Sequence, residues 1–251
     1  MLEFNFSDKL NGYLDKIQRE TGREIKFLES SNLGIGGITA AYRYHPQYIL
    51  IILNNKYARS PEDVERSIAH EATHGYLIHK LGFCRTEFSE NVDDAYKRDV
   101  QLVLTMVEDI VVNRIISENS FPPFGHEYLP MVKEEIRIAQ LGEKTGEEFY
   151  HKFAENPHLE ALLMISRYII AWGFLKFYLL NEEDEKLIRK FTAIFREYYP
   201  DYYTFTVKIV EILEKKDFFH GTGECEAAKD ILKYLKMDYG VKLVKNYEER
   251  T

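Results

Sequence analysis

A chain of 251 residues lies between one large domain and two small ones, and its 45% hydrophobic and 29% charged residues exclude disorder or low complexity as a description of the whole. Lys and Arg number 33 against 41 Asp and Glu, a formal net charge of −8, which excludes a broad electrostatic attraction to nucleic acid or to an anionic membrane. Cys84 and Cys225 are the two cysteines, and the opening Met-Leu-Glu-Phe-Asn-Phe-Ser-Asp lacks the basic start and apolar stretch of a secretory signal. The expectation is a cytoplasmic protein with reduced, buried thiols.

Ser7, then Leu10, Tyr13, Leu14 and Ile17, and a stop at Gly22 spell an amphipathic helix with a side-chain cap and a glycine exit. A short strand is expected from Glu24 to Leu28. The glycine-rich loop 31–37 leads into a hairpin of Ile38–Tyr44 and Tyr48–Leu53 about a His45-Pro46-Gln47 turn. Its second strand is apolar on both faces and reads as covered on both sides. The first is more mixed and reads as a sheet edge. Ser60-Pro61-Glu62-Asp63 announces a helix, capped by Ser60 and running to about Leu81, with Gly82 as its stop. A second long helix is expected from Asn91 or Asp93 to about Ile116, before the break at Pro122-Pro123. Beyond it, helices are expected at 130–141, 145–155, 158–180, 183–198, 202–216 and 223–238. The stretch 161–180 is apolar enough to suggest a membrane span, but Arg167 and Lys176 would be costly in mid-bilayer, so it reads as a buried core helix. Gly221-Thr222-Gly223-Glu224 lacks the lysine and spacing of a phosphate loop and reads as the Thr-capped start of the last helix. The fold class is α+β, with a small sheet and metal-binding helices in residues 1–120 and a helical C-terminal subdomain over 121–251.

The chemistry is concentrated in Ser67-Ile68-Ala69-His70-Glu71-Ala72-Thr73-His74-Gly75-Tyr76. Residues four apart on a helix are separated by roughly 40° of rotation and about 6 Å of rise, so His70 and His74 can aim imidazole nitrogens at one ion. Glu71, about 100° around from His70, can address a water on that ion without binding the ion itself. Zinc in such a place lowers the pKa of its water toward about 7, and the carboxylate takes the proton and passes it to a leaving amine.

A catalytic zinc takes three protein ligands, so one more is required. His79, five residues past His74, points away from it, and Leu77 and Lys80 occupy the places where a metzincin has its glycine and third histidine. The next helix offers adjacent carboxylates at Glu108 and Asp109. Asp109 shares a face with Thr105 and Asn113, a polar stripe suited to hydrogen-bonded support of a metal site, and is favoured as the ligand. Glu108, whose face carries Leu104, Val111 and Val112, is the alternative.

The strand Tyr48–Leu53, the helix with His70-Glu71-Ala72-Thr73-His74 and the following helix with Asp109-Ile-Val-Val-Asn113 together resemble the zincin superfamily of metallopeptidases, in particular its gluzincin-like branch. They are also similar to metallopeptidase domains found beside von Willebrand A-type domains in prokaryotes, where an Asp followed four residues later by Asn comes after the motif helix. An aspartate here stands where most gluzincins have glutamate. The resemblance covers roughly residues 37–118. It implies a zinc metallopeptidase acting on a peptide or protein substrate, with zinc on His70, His74 and Asp109, Glu71 as catalytic base and Asn113 supporting the site. It also implies that the edge strand Gly37–Tyr44 holds an extended peptide by main-chain hydrogen bonds. A later histidine or tyrosine would then stabilise the oxyanion; His220, in Phe-Phe-His-Gly-Thr-Gly, is the foremost choice, with His151, His158 and the tyrosines behind it. Neither nucleic acid nor membrane is expected as a partner, and oligomeric state is not legible. Two other readings use the same residues: a hydrolase of a non-peptide amide or ester, and a zinc-containing module that binds peptide without cleaving it.

Overall fold

The computed structural model describes residues 6–31, 39–54, 60–125, 127–141 and 157–245. The helix expected at 145–155, with His151, and the start of the expected edge strand at Ile38 lie outside these residues, as does Gly37. The fold is α+β, two small sheets among helices with a mainly helical C-terminal half. The chain divides into two compact units, each assembled from discontinuous stretches: Met1–Phe83, Val112–Gly125 and Lys245–Thr251 in the first, Cys84–Val111 and His126–Val244 in the second.

The first unit opens with α1 (Asp8–Thr21), capped by the Ser7 side chain on the Leu10 N–H and closed by Gly22 at φ 64°, a left-handed conformation that costs glycine little. Its apolar stripe of Leu10, Tyr13, Leu14 and Ile17 is buried. A three-stranded sheet follows, in the order β1 (Glu24–Ser30), β3 (Tyr48–Asn54), β2 (Ala40–Arg43). The hairpin β2–β3 is antiparallel, with Tyr42 opposite Ile51, and the central β3 also pairs in parallel with β1. Ile49 and Ile51 of β3 are fully buried, and β2 is the sheet edge that its mixed pattern announces.

Helix α2 (Pro61–His79) begins where Ser60 accepts the Asp63 N–H, with Pro61 in the first turn. It is fastened to α1 at three points, one of them the Tyr76 hydroxyl donating to Glu20 at 2.8 Å. Glu65 accepts both the Ser7 N–H and the Ser7 hydroxyl at 2.6 Å, and the Tyr13 hydroxyl lies 2.6 Å from that of Thr73. Burial pushes the Tyr13 phenol far above its ordinary value. Gly75 lets α2 lie against the sheet, since a Cβ there would come within 2.6 Å of the Ile49 side chain. Helix α3 (Asp94–Glu118), capped by Asp93 on the Tyr96 N–H, is one unbroken helix that contributes the part from Val112 onward to this unit.

The second unit holds β4 (Arg85–Phe88), the first part of α3, and α4 (Tyr128–Gln140), α5 (Pro157–Phe177), α6 (Glu182–Tyr198), α7 (Pro200–Lys215), α8 (Gly221–Tyr234) and β5 (Val241–Val244). The antiparallel pair β4–β5, with Thr86 opposite Leu243, corrects the expectation that everything after the second long helix is helical. Helix α8 starts at Gly221 with His220 as its cap residue, so Thr222 lies inside the first turn rather than capping it. One helix among the described residues, over His158–Phe177, is long and apolar enough to cross a membrane. Its Arg167 donates to the buried Glu135 of α4 at 2.6 Å and its Lys176 is paired with Glu214 of α7, while Gly173 sits so close to Ile110 that a Cβ would meet it at 2.9 Å. These contacts pack it as a core helix of the second unit.

Gly75→Ala is expected to destabilise the protein by about 1–3 kcal/mol, because Ile49 has no room to withdraw in a filled core. Thermal unfolding checks this: the midpoint falls by several degrees, and an unchanged midpoint would mean that α2 does not need the close approach.

Candidate metal centre

The amphipathic phase of α2 buries Ile68, Ala69, Ala72 and Thr73 and leaves His70 and His74 on a neighbouring strip. Their Nε2 atoms face each other at 3.3 Å, and the rings are inclined at 71° with centroids 5.0 Å apart. His74 is 7% exposed and its ring stacks beside that of Tyr42 in β2.

The tautomer of His70 follows from Asn113, which is buried on α3. Arg66 of α2 donates to Asn113 Oδ1 at 3.0 Å, and because a guanidinium has only donors, this atom is the amide oxygen. His70 Nδ1 lies 3.1 Å from the same oxygen and therefore carries a proton to donate to it. The lone pair of His70 is thus on Nε2, the atom that faces His74. Arg66 is itself anchored by the carbonyls of Pro122 and Pro123, both at 3.1 Å. The proline pair that ends the sequence pattern of α3 therefore also positions the site.

Asp109 precedes Asn113 by one turn of the unbroken α3. His70 and His74 lie in the first unit, and Asp109, the carboxylate favoured from the sequence, lies in the second. Glu108, the alternative from the sequence, also lies in the second unit. It is 8% exposed and is the foremost charge acting on Glu224 in the second unit.

Glu71 follows His70 on α2. Its Oε2 accepts the main-chain N–H of Tyr42 at 2.7 Å, so the edge strand holds the carboxylate in place. The donor at Tyr42 is therefore engaged by the protein's own side chain. His79 is remote from the histidine pair: its ring stacks on Tyr44 at 5.7 Å, and burial, with the charges of Arg23 and His45, pushes its pKa down to about 4. His220 is the N-cap residue of α8 but makes no side-chain cap; it is exposed, with Nε2 3.5 Å from Asp217, and His158 lies 3.0 Å from Asp99. Arg66 and the Tyr42 N–H are absent from the sequence reading. A spacing of four before His70 is the one trace that Arg66 leaves, and a main-chain donor leaves none.

Comparison with models of known protein families, with curated proteins and with solved structures finds no match. The weight of the functional reading therefore falls on the residues and their geometry.

His79 predicts an acid sensitivity. Unfolded, it titrates near 6.5, and folded at about 4, so between these values the unfolded chain binds more protons. The stability it contributes is complete above about 6.5 and is lost as pH falls toward 4. His79→Gln should flatten this part of the profile, measured as the denaturant midpoint at pH 7 and pH 4.5; equal losses in both proteins would refute the assignment.

Proposed function

We propose that the protein is a zinc-dependent metallopeptidase. The reading is carried by one observation: two imidazole Nε2 atoms 3.3 Å apart, one with its lone pair fixed by Asn113. Zinc–nitrogen bonds of about 2.0–2.1 Å in a tetrahedral site require nitrogens roughly 3.3 Å apart. Two histidines and one carboxylate also form a donor set suited to a catalytic zinc with an open fourth position. His70, His74 and Asp109 would hold the ion. When bound, zinc supplies Lewis acidity toward a carbonyl and makes water acidic enough to act as a nucleophile near neutral pH.

The remaining work belongs to the chain. Glu71, with Oε2 pinned by Tyr42, presents Oε1 to take a proton from the attacking water and return it to the departing amine nitrogen, so that amide and water give acid and amine. Asn113 keeps His70 in the one tautomer that leaves Nε2 available. The edge strand β2 offers its outer main chain to an extended peptide, which meets Glu71 at Tyr42. A peptide that takes the Tyr42 N–H frees the carboxylate at the moment it is required. The cytoplasm is the proposed location, in keeping with two cysteines present as thiols rather than a disulfide.

Metal content and hydrolysis of a mixed peptide library test the proposal together. His70→Ala, His74→Ala and Asp109→Ala should each lose one zinc per chain relative to wild type, and Glu108→Ala should retain it. Glu71→Gln should keep the metal and lower hydrolysis by at least about 10²-fold. Metal content unchanged in the histidine variants, or full hydrolysis by Glu71→Gln, would overturn the reading. Wild-type protein that holds zinc at these residues but cleaves no peptide would be a binding module or a hydrolase of other amides or esters. Asn113→Ala should weaken zinc binding about 10–100-fold through loss of His70 orientation, measured by competition with a chromophoric chelator. Affinity equal to wild type would deny Asn113 its role.

A further inference from the structure

A second constellation of metal-ligating groups lies entirely within the second unit. Cys84, just before β4, and Glu224 and Cys225, in the first turn of α8, offer three ligand atoms within 4.8 Å of one another. Cys84 is 1% exposed and Glu224 is fully buried. The Cys84 N–H donates to Glu224 Oε2 at 3.0 Å, and the Cys84 Sγ lies 3.2 Å from the same oxygen and 3.5 Å from Oε1. The thiol of Cys84 also meets that of Cys225. Glu108, another buried carboxylate, is the foremost charge acting on Glu224.

The proteolytic reading gives this cluster nothing to do. Two thiols and a carboxyl group brought together in this way form a donor set suited to a cation that prefers sulfur. The spacing suits it. Bonds of about 2.3 Å to sulfur and 2.0–2.2 Å to oxygen place tetrahedral ligands roughly 3.4–3.8 Å apart, and the Cys84 sulfur already lies 3.2 and 3.5 Å from the Glu224 oxygens.

The backbone is shaped to deliver these side chains. A Cβ on Gly223 would fall 2.1 Å from the Asp217 carbonyl oxygen, so only glycine lets the first turn of α8 fold back onto the preceding turn and bring Glu224 and Cys225 round to Cys84. The β4–β5 ladder then ties the strand after Cys84 to the strand after α8.

We propose that Cys84, Glu224 and Cys225 form a second metal site, taking zinc or a divalent cation of similar softness. On binding, the two thiol protons pass to solvent and the sulfurs ligate as thiolates. The ion would tie the start of β4 to the start of α8, joining residues about 140 positions apart in sequence. Its role is structural, because the carboxylate and one thiol are closed to solvent. The site is independent of His70, His74 and Asp109, which contain no sulfur.

That difference in ligand chemistry supplies the test. Full-length protein, reduced and stripped of metal by chelation, is titrated with cobalt(II) while the near-ultraviolet absorption is followed. A thiolate-to-cobalt charge-transfer band is expected, saturating at about one thiolate-bound cobalt per chain. It should persist in the His70→Ala/His74→Ala double variant and disappear in Cys84→Ser and in Cys225→Ser, with circular dichroism confirming that each variant is folded. Cys225 is only half-buried, so its serine variant is a conservative control should Cys84→Ser fail to fold. No band in the reduced wild-type protein overturns the proposal. So does a band that survives Cys225→Ser, or one lost from a folded His70→Ala/His74→Ala variant, which would assign the thiolates to the first site. Loss of zinc from the histidine variants without a thiolate band would sustain the peptidase reading and defeat this one.

Discussion

Asn113 Oδ1 accepts two hydrogen bonds from α2, one from Arg66 and one from His70 Nδ1, at 3.0 and 3.1 Å. Everything at the candidate metal centre follows from this shared oxygen. Because Arg66 can only donate, the amide orientation is set; because the amide oxygen is then fixed, the proton of His70 must lie on Nδ1; and Nε2 is left with its lone pair toward His74. The same bonds hold α2 against the part of α3 from Val112 onward. A buried polar group of this kind is costly to leave half-satisfied, and the two carbonyls that hold Arg66 complete the network.

Around that core the first unit supplies rigidity at several levels. Gly75 allows α2 to close onto Ile49, Thr73 joins α1 through Tyr13, and Tyr42 presents an edge-strand N–H to Glu71. The five-residue span His70–His74 is thus held from the sheet, from α1 and from α3. The helix supplies the spacing of the two imidazoles, and tertiary contacts supply their orientation. This division of labour is expected of a site that must hold groups to within a fraction of an ångström.

What was legible in the sequence was local. The caps at Ser7 and Ser60, the stop at Gly22, the hairpin of β2 and β3 and the histidine pair all depend on spacings of a few residues, and each has a counterpart in the structure. The polar stripe Thr105, Asp109, Asn113 favours Asp109 over Glu108 through helix phase alone, and Asn113 of that stripe lies 3.1 Å from His70. The parallel pairing of β1 with β3 and the β4–β5 ladder were not legible, since pairing between distant strands leaves no periodicity to read. Arg85–Phe88 is short and mixed in character, and Val241–Val244 follows a helix closely enough to be absorbed into it. Thr222 misled for a simpler reason: several residues near a helix start can cap, and here Gly221 already has helical conformation. The meeting of Cys84 with Cys225 joins opposite ends of the second unit, and two isolated cysteines carry no spacing signal.

The central claim is that one zinc ion sits between His70 and His74 with Asp109 as its third protein ligand. Crystals of the protein grown with zinc and measured on both sides of the zinc absorption edge test it directly. The account predicts an anomalous peak within about 2.0–2.2 Å of both Nε2 atoms and of an Asp109 carboxylate oxygen. No peak there, with the two Nε2 atoms joined by a hydrogen bond instead, would contradict it.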